Sequence, residues 1–302
     1  MLHPSPNPSV LSGQVALWPQ KAKHFFALLK FRLSLLVLFS GTIGYALAYT
    51  GMGWDWTRFL CFVVGSFLIT GAANTINQIL EREVDKHMTR TRTRPLPTGV
   101  LGVWETILFT LILTFVGTAI LVVGVSVGAA SLALLSLILY AFVYTPLKGV
   151  TSFAVFVGAF PGAFPPLIGW YAAADELTIG AFIIFGLQFV WQFPHFWAIA
   201  WLSHDDYLKV GYNLLPTGNR DMGTALQIVS YTLFLIPLGI APWLYGMTGA
   251  ISAVVVTVAA LAFLWPALQL LQHGSRKAAR TLMFASFFYL PVMQIAFLLD
   301  KL

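Results

Sequence analysis

Three oxygen-bearing side chains follow one another at intervals of four residues near the end of an apolar stretch: Asn77, Glu81 and Asp85. On a helix this spacing drifts by only about 80° over two turns, so the three side chains share one face. Such a row suits Mg²⁺, which keeps several waters and often completes its shell with phosphate oxygens. This row, the oxygen ladder, predicts a magnesium and phosphate site. The alternative is a helix end that emerges into water with local ion pairs.

A dense basic segment, residues 86–97, follows the oxygen ladder and contains Arg90, Arg92 and Arg94. Arginine binds phosphate oxygens in a bidentate manner, and a departing diphosphate needs its developing charge neutralised. Taken alone, the segment is also typical of anchoring to anionic lipid. Its position directly after the ladder favours a diphosphate site instead.

Two further groups of polar residues lie in apolar stretches. Tyr140, Tyr144 and Lys148 follow one another at intervals of four, so Lys148 could reach a phosphate that the tyrosines approach. Aromatic belts and snorkelling lysines at a membrane interface give the same pattern.

The second group is a polar interruption of a later stretch by Gln192, Pro194 and His195, before the polar sequence at 204–207. Polar groups inside a helix bundle usually face a cavity or a partner, so we predict a second polar wall here. For His195 the alternative is an ordinary hydrogen-bonded interior histidine. For Asp205 and Asp206 the alternative is a position in a solvated loop.

Composition indicates which elements must position these residues. The 302 residues are 58% apolar and only 9% charged, with a mean hydropathy of +0.82. Soluble globular domains average about 25% charged residues, so a soluble enzyme is excluded. The chain length suffices for roughly nine membrane-spanning helices of about 20 residues. We predict an all-α polytopic membrane protein with a tail, residues 1–29, and a single integral domain, residues 30–302.

The predicted spans cover residues 33–49, 59–80, 106–123, 129–144, 153–171, 179–202, 226–245, 251–271 and 282–299. Every Lys and Arg except Arg58 and Lys301 lies before the first span or in the connections after the second, fourth, sixth and eighth spans. Basic residues stay on the cytoplasmic side, so we predict a cytoplasmic N-terminus. The tail lacks the Arg-rich pattern of a mitochondrial transit peptide, which favours a bacterial inner membrane.

The segment from the oxygen ladder to Pro97 resembles the first polar motif of the intramembrane prenyltransferases, in the N-x-x-x-E-x-x-x-D form of their haem-modifying branch. The resemblance continues through YTPLK at 144–148, GAFPGAFPPLIGW at 158–170, WQFPHF at 191–196, Asp206-Tyr207 and Leu215-Pro216. An acidic row alone is a weak signal, but this ordered set is specific and is spread across most of the chain, from about residue 30 to residue 216.

The resemblance implies nine helices around a central cavity that opens to the cytoplasmic side. The expected ligands of Mg²⁺, bound through the diphosphate of farnesyl diphosphate, are Asn77, Glu81 and Asp85. The expected phosphate contacts are Arg90, Arg94 and Lys148. His195, as a catalytic residue, and Asp206, with Tyr207, would form the second polar motif. Tyr140 and Tyr144 would line the substrate site.

Farnesyl transfer to the vinyl group of haem B, with addition of water, is the implied reaction and gives haem O and diphosphate. Haem B is then a substrate, and His195 or His204 would either ligate its iron or make ordinary hydrogen bonds. The expected partners are membrane lipid and a haem A synthase or terminal oxidase that receives the product, with no nucleic acid. The alternatives are a quinone-type aromatic prenyltransferase, a transporter and a structural assembly factor.

Two positions depart from the pattern of the family. Relatives often have Lys-Pro-Arg where this chain has Lys30-Phe31-Arg32, which we expect to affect only the start of a helix. They often have Lys-Arg where this chain has Lys148-Gly149, so the sequence does not predict whether a second basic residue contacts the phosphates beside Lys148.

Overall fold

Long apolar helices make up most of the protein. The computed structural model describes residues 18–51 and 53–302. Within these ranges the regular structure is helical, apart from an isolated β-bridge between Thr248 and Lys301. Nine helical segments in the described part are long and apolar enough to cross a membrane, which confirms the predicted spans. Most of the predicted tail, residues 1–17, lies outside the described residues.

Most connections between the helices are short, and the two longest are residues 86–102 and 209–221. They are α1 (Trp18–Leu28), α2 (Phe31–Ala48), α3 (Trp56–Leu80), α4 (Arg82–Asp85), α5 (Val103–Gly124), α6 (Val127–Ile138), α7 (Thr145–Leu147), α8 (Ala154–Ala174), α9 (Ile179–Leu208), α10 (Met222–Leu244), α11 (Ala250–His273) and α12 (Arg276–Leu299). A π-helical turn, Leu139–Tyr144, joins α6 to α7, so these three pieces form one span. Single π-turns inside α-helices are often found at functional sites.

Helix α1 lies in the part of the chain that was predicted to be a tail. The chain turns between α1 and α2 at Lys30, whose φ of 47° is left-handed. Leu28, at the end of α1, is fully buried and packs with Leu96 and Leu101. These contacts attach α1 to the polypeptide that carries the basic segment.

Helix α8 contains the prolines Pro161, Pro165 and Pro166. A proline has no N–H, so each leaves a carbonyl four residues earlier without its helical hydrogen bond. Two neighbouring helices supply donors for two of these carbonyls. Gln188 Nε2 donates to the carbonyl of Gly162 at 2.8 Å, and Ser136 Oγ donates to that of Pro161 at 3.2 Å. The prolines are therefore compatible with a buried helix.

Helices α2 and α8 approach each other closely because glycines lie at their contact. A Cβ atom added to Gly169 would lie 1.9 Å from the carbonyl oxygen of Gly41, and one added to Gly44 would lie 2.2 Å from that of Pro166. Small residues at helix crossings in membranes allow this direct backbone packing.

Helix α9 is longer than the predicted sixth span and continues to Leu208. The polar residues 204–207, for which a solvated loop was the alternative, belong to its last two turns. Their side chains therefore point in several directions around one helix end.

Candidate active site

The oxygen ladder lies where α3 meets α4. Helix α3 ends at Leu80, but the backbone N–H of Asp85 donates to the carbonyl of Glu81 at 2.7 Å, so the chain continues in helical fashion. Asn77, Glu81 and Asp85 are only 2%, 7% and 0% exposed. Asn77 Nδ2 donates to Glu81 Oε2 at 3.0 Å, which places these two side chains together.

Each carboxylate of the ladder is paired with a cation. Lys148, from the end of the fourth span, forms an ion pair with Glu81. Arg94 Nη1 donates to Asp85 Oδ2 at 2.7 Å. Charges this deeply buried are tolerated only when they are paired. The structure thus brings Arg94 and Lys148 to the ladder.

Lys30 also reaches the ladder, a contact that was not predicted from the sequence. Its Nζ lies 3.4 Å from Asn77 Oδ1 and donates to it. The left-handed turn between α1 and α2 sets the direction of this side chain.

Two further contacts of the ladder were not predicted from the sequence. Tyr212 is buried and its hydroxyl donates to Glu81 Oε1 at 3.2 Å, while Asn77 Nδ2 donates to Thr145 Oγ1 at 3.1 Å. Burial, and then the nearby Glu81 carboxylate, raise the pKa of Tyr212 well above its usual value. The hydroxyl therefore keeps its proton and remains a donor.

The ladder has the donors for a metal ion that is shared with a diphosphate. Asp85 Oδ1 is buried and has no hydrogen-bond partner in the described part of the chain. Among the same residues no three His, Cys, Asp or Glu side chains are grouped closely enough to hold a metal. Two carboxylates and an amide fit Mg²⁺ only if phosphate oxygens and water complete the shell, as is common for this ion.

An apolar cavity of about 260 Å³ begins beside the ladder. At its polar end it is lined by Asn74, Tyr140, Tyr144 and Lys148, and Lys148 Nζ lies 4.9 Å from the centre of the Tyr144 ring. Its walls come from α2, α3, α6, the π-turn and α8, with Phe196 from α9. Along α3 the lining runs from Asn74 back to Phe62, which is about 18 Å at the helical rise.

His195 does not line the apolar cavity, although the next residue, Phe196, does. Its Nδ1 is hydrogen-bonded to Ser286 Oγ on α12 at 2.7 Å, and its ring stacks on Trp191 with centroids 4.8 Å apart. The structure therefore does not bring His195 to the ladder, and it matches the alternative of a hydrogen-bonded interior histidine.

Arg90 and Asp206 lie at a second concave site of about 270 Å³, here called the polar pocket. Its polar lining residues are Thr89, Arg90, Ser203, Asp205, Asp206, Tyr207 and Arg276. Thr89 Oγ1 donates to Asp206 Oδ1 at 3.1 Å, which joins the basic segment to the end of α9. Of the two arginines that were predicted to contact the phosphates, Arg94 contacts the ladder and Arg90 lines the polar pocket.

Membrane-spanning helices surround an apolar cavity that ends at paired carboxylates and cations, which is the arrangement expected of an intramembrane prenyltransferase. Residues 37–290 match the UbiA prenyltransferase family. Protoheme IX farnesyltransferase of Cytophaga hutchinsonii is 49% identical over 92% of this chain and 97% of its own length. The protoheme IX farnesyltransferase of Flavobacterium johnsoniae is 41% identical over 92% of this chain and 94% of its own length. The chain belongs to the UbiA prenyltransferase family and, within it, to the protoheme IX farnesyltransferases.

Solved structures show the same fold at low sequence identity. Digeranylgeranylglyceryl phosphate synthase superposes with a TM-score of 0.78 at 18% identity, over 93% of this chain and 98% of that one. A UbiA homologue from Archaeoglobus fulgidus bound to GPP and Mg²⁺ superposes with a TM-score of 0.65 at 15% identity, over 91% of this chain and 99% of that one.

Proposed function

We propose that the protein transfers the farnesyl group of farnesyl diphosphate to a vinyl group of haem B, with addition of water, to give haem O and diphosphate. The observation that carries the proposal is the buried, cation-paired Glu81 and Asp85 at the end of an apolar cavity. The names of the curated relatives support the acceptor, and the UbiA homologue bound to GPP and Mg²⁺ supports the diphosphate.

Asn77, Glu81 and Asp85 would hold Mg²⁺ against the diphosphate. The ion supplies positive charge that stabilises the departing diphosphate oxygens. Lys148 and Arg94 would exchange their carboxylate partners for these oxygens, and Lys30 lies close enough to take part. Preorganised cations in a site shielded from water are worth far more to the rate than the same groups in solution.

The apolar cavity would hold the farnesyl chain. When the bond between the allylic carbon and the diphosphate oxygen breaks, the electron pair leaves with the diphosphate and an allylic cation remains. The π-electrons of the haem vinyl group then form the new carbon–carbon bond, and water adds to the resulting cation with loss of a proton. Tyr140, Tyr144 and Phe196 can stabilise the first cation with their ring faces and exclude water from it.

The cellular setting is part of the same proposal. The segregation of Lys and Arg supports residues 1–29 in the cytoplasm, before one integral domain at residues 30–302. The bacterial sources of the relatives support an inner membrane. Haem O would then pass within the membrane to a haem A synthase or a terminal oxidase.

Product analysis tests the acceptor. Membranes that contain the protein should convert labelled farnesyl diphosphate and haem B into a haem whose mass has increased by one farnesyl group and one hydroxyl group. 4-Hydroxybenzoate in place of haem B should give no prenylated product. Label that appears only in the benzoate would overturn the proposal and indicate a quinone-type enzyme.

The position of Ser66 tests where the prenyl chain lies. Ser66 lines the cavity two helical turns beyond Asn74, so a phenylalanine there fills the part that the third isoprene unit would occupy. Ser66→Phe should lower kcat/KM for farnesyl diphosphate by at least about tenfold, which is a typical cost of overpacking. The kcat/KM for the shorter geranyl diphosphate should not change. Steady-state assays with both substrates measure this. Ser131→Phe, on the exposed face of α6, is the matched control. An equal loss with both substrates would contradict this placement.

A further inference from the structure

The polar pocket lies outside the apolar cavity and has its own set of charges. Arg90 and Arg276 line it, and Arg90 makes no ion pair with any described residue. Asp205 pairs with Arg276 and with Arg220, each at 3.0 Å, and Asp206 pairs with Lys209 at 2.6 Å. All of these groups come from three elements that meet here: the basic segment, the α9 end with its following loop, and the start of α12.

The charges around the polar pocket do not cancel. Arg90, Arg276, Asp205 and Asp206 line the polar pocket. Lys209 and Arg220 do not line it but pair with the two carboxylates, so these six groups together carry two positive charges. A site with this imbalance attracts a ligand with two negative charges. Arginine forks are especially suited to bind carboxylates or phosphates.

The polar pocket adjoins the ladder. Thr91 Oγ1 donates to the carbonyl of Asp85 at 3.0 Å, so the turn that carries Arg90 packs directly on the ladder. Tyr207 lines the polar pocket, and its ring centre lies 6.3 Å from that of Tyr212, whose hydroxyl donates to Glu81. One molecule can therefore contact the polar pocket and approach the apolar cavity at the same time.

We propose that the polar pocket binds the two propionate groups of the haem substrate through Arg90 and Arg276. This inference rests on the proposed function. Haem B carries its two propionates on one edge of the macrocycle and its vinyl groups away from them. With the propionates in the polar pocket, the apolar vinyl edge points toward the end of the apolar cavity, where the allylic cation forms. The diphosphate has separate cations, Arg94 and Lys148, at the ladder.

The test compares haem B with its dimethyl ester, which keeps the macrocycle and both vinyl groups but has no propionate charge. Both are titrated by visible absorption against the full-length protein in phosphatidylcholine nanodiscs. Haem B should bind about tenfold more tightly than the ester, which corresponds to charge-assisted hydrogen bonds at a partly hydrated site. This comparison needs no variant, so it does not depend on the folding of a mutant.

Arginine variants then locate the contact. Arg90→Gln and Arg276→Gln should each weaken haem B binding about tenfold, leave ester binding within about twofold, and leave KM for farnesyl diphosphate unchanged. Arg90→Lys, which keeps the charge, should recover part of the affinity. Lys277→Gln is the matched control, because Lys277 is exposed beside Arg276 and does not line the polar pocket.

Three results would overturn the inference. Equal binding of haem B and its ester would show that the propionates are not recognised. A rise in KM for farnesyl diphosphate, without a change for haem B, would assign the polar pocket to the diphosphate. Competition by phosphatidylglycerol that Arg90→Gln abolishes would assign it to a lipid phosphate. If the wild-type protein makes no farnesylated haem, the proposed function fails as well, whereas equal KM values for haem B and ester refute only this inference.

Discussion

Replacing Asp85 with alanine should lower farnesyl transfer by at least about 100-fold, the usual cost of removing one group that stabilises developing charge. Asp85 is fully buried and its Oδ1 has no partner in the described residues, so this oxygen is free to bind a metal. Its other oxygen accepts a hydrogen bond from Arg94, whose side chain is 23% exposed. Water can therefore solvate Arg94 after the substitution, and the protein should remain folded.

Initial rates of haem farnesylation in membranes, normalised to the amount of inserted protein, measure the effect. Glu83→Ala is the matched control, because Glu83 is two residues away, is 64% exposed and pairs with Lys86. Glu81→Ala should also abolish transfer, but it leaves buried Lys148 without its carboxylate and so combines two effects. Activity of Asp85→Ala within tenfold of the wild type would remove the ladder from the mechanism.

Among Gly→Ala substitutions in this protein, Gly169→Ala should lower the free energy of unfolding the most. The added Cβ would lie 1.9 Å from the carbonyl oxygen of Gly41, a backbone atom that cannot rotate away. Helices α2 and α8 would have to separate along their shared face. Overpacking of this kind costs about 1–3 kcal/mol or more, so the melting temperature should fall by at least about 2 °C.

Thermal unfolding of the purified protein measures this change. Gly186→Ala is the control, since an added Cβ there meets no atom within 4 Å and alanine is the better helix former. Its melting temperature should stay the same or rise. A melting temperature for Gly169→Ala equal to that of the wild type would mean that the two helices do not pack as closely as described.

The membrane spans could be predicted from the sequence because a long apolar helix is recognisable without its neighbours. The burial of Lys30 and Tyr212 at the ladder could not. Lys30 depends on the left-handed turn after α1, and Tyr212 lies 131 residues from its partner Glu81. Neither contact leaves a local pattern in the sequence.

The separation of Arg90 from Arg94 has a similar cause. Their spacing of four places two side chains on one face only in a helix, and the basic segment folds as turns. His195 shows a second limit. A polar residue inside a bundle must face a partner, but helical periodicity does not say whether that partner is a cavity or Ser286 on another helix.

Gln188 donates to the carbonyl of Gly162, which lacks a helical donor because residue 166 is a proline. The need for Gln188 therefore depends on Pro166, although the two side chains make no hydrogen bond. Gln188→Ala leaves that oxygen buried and without a donor, whereas a backbone N–H at position 166 would supply one. Pro166→Ala should therefore act as a suppressor of Gln188→Ala. Because of this epistasis, substitution of Gln188 during evolution should follow or accompany substitution of Pro166.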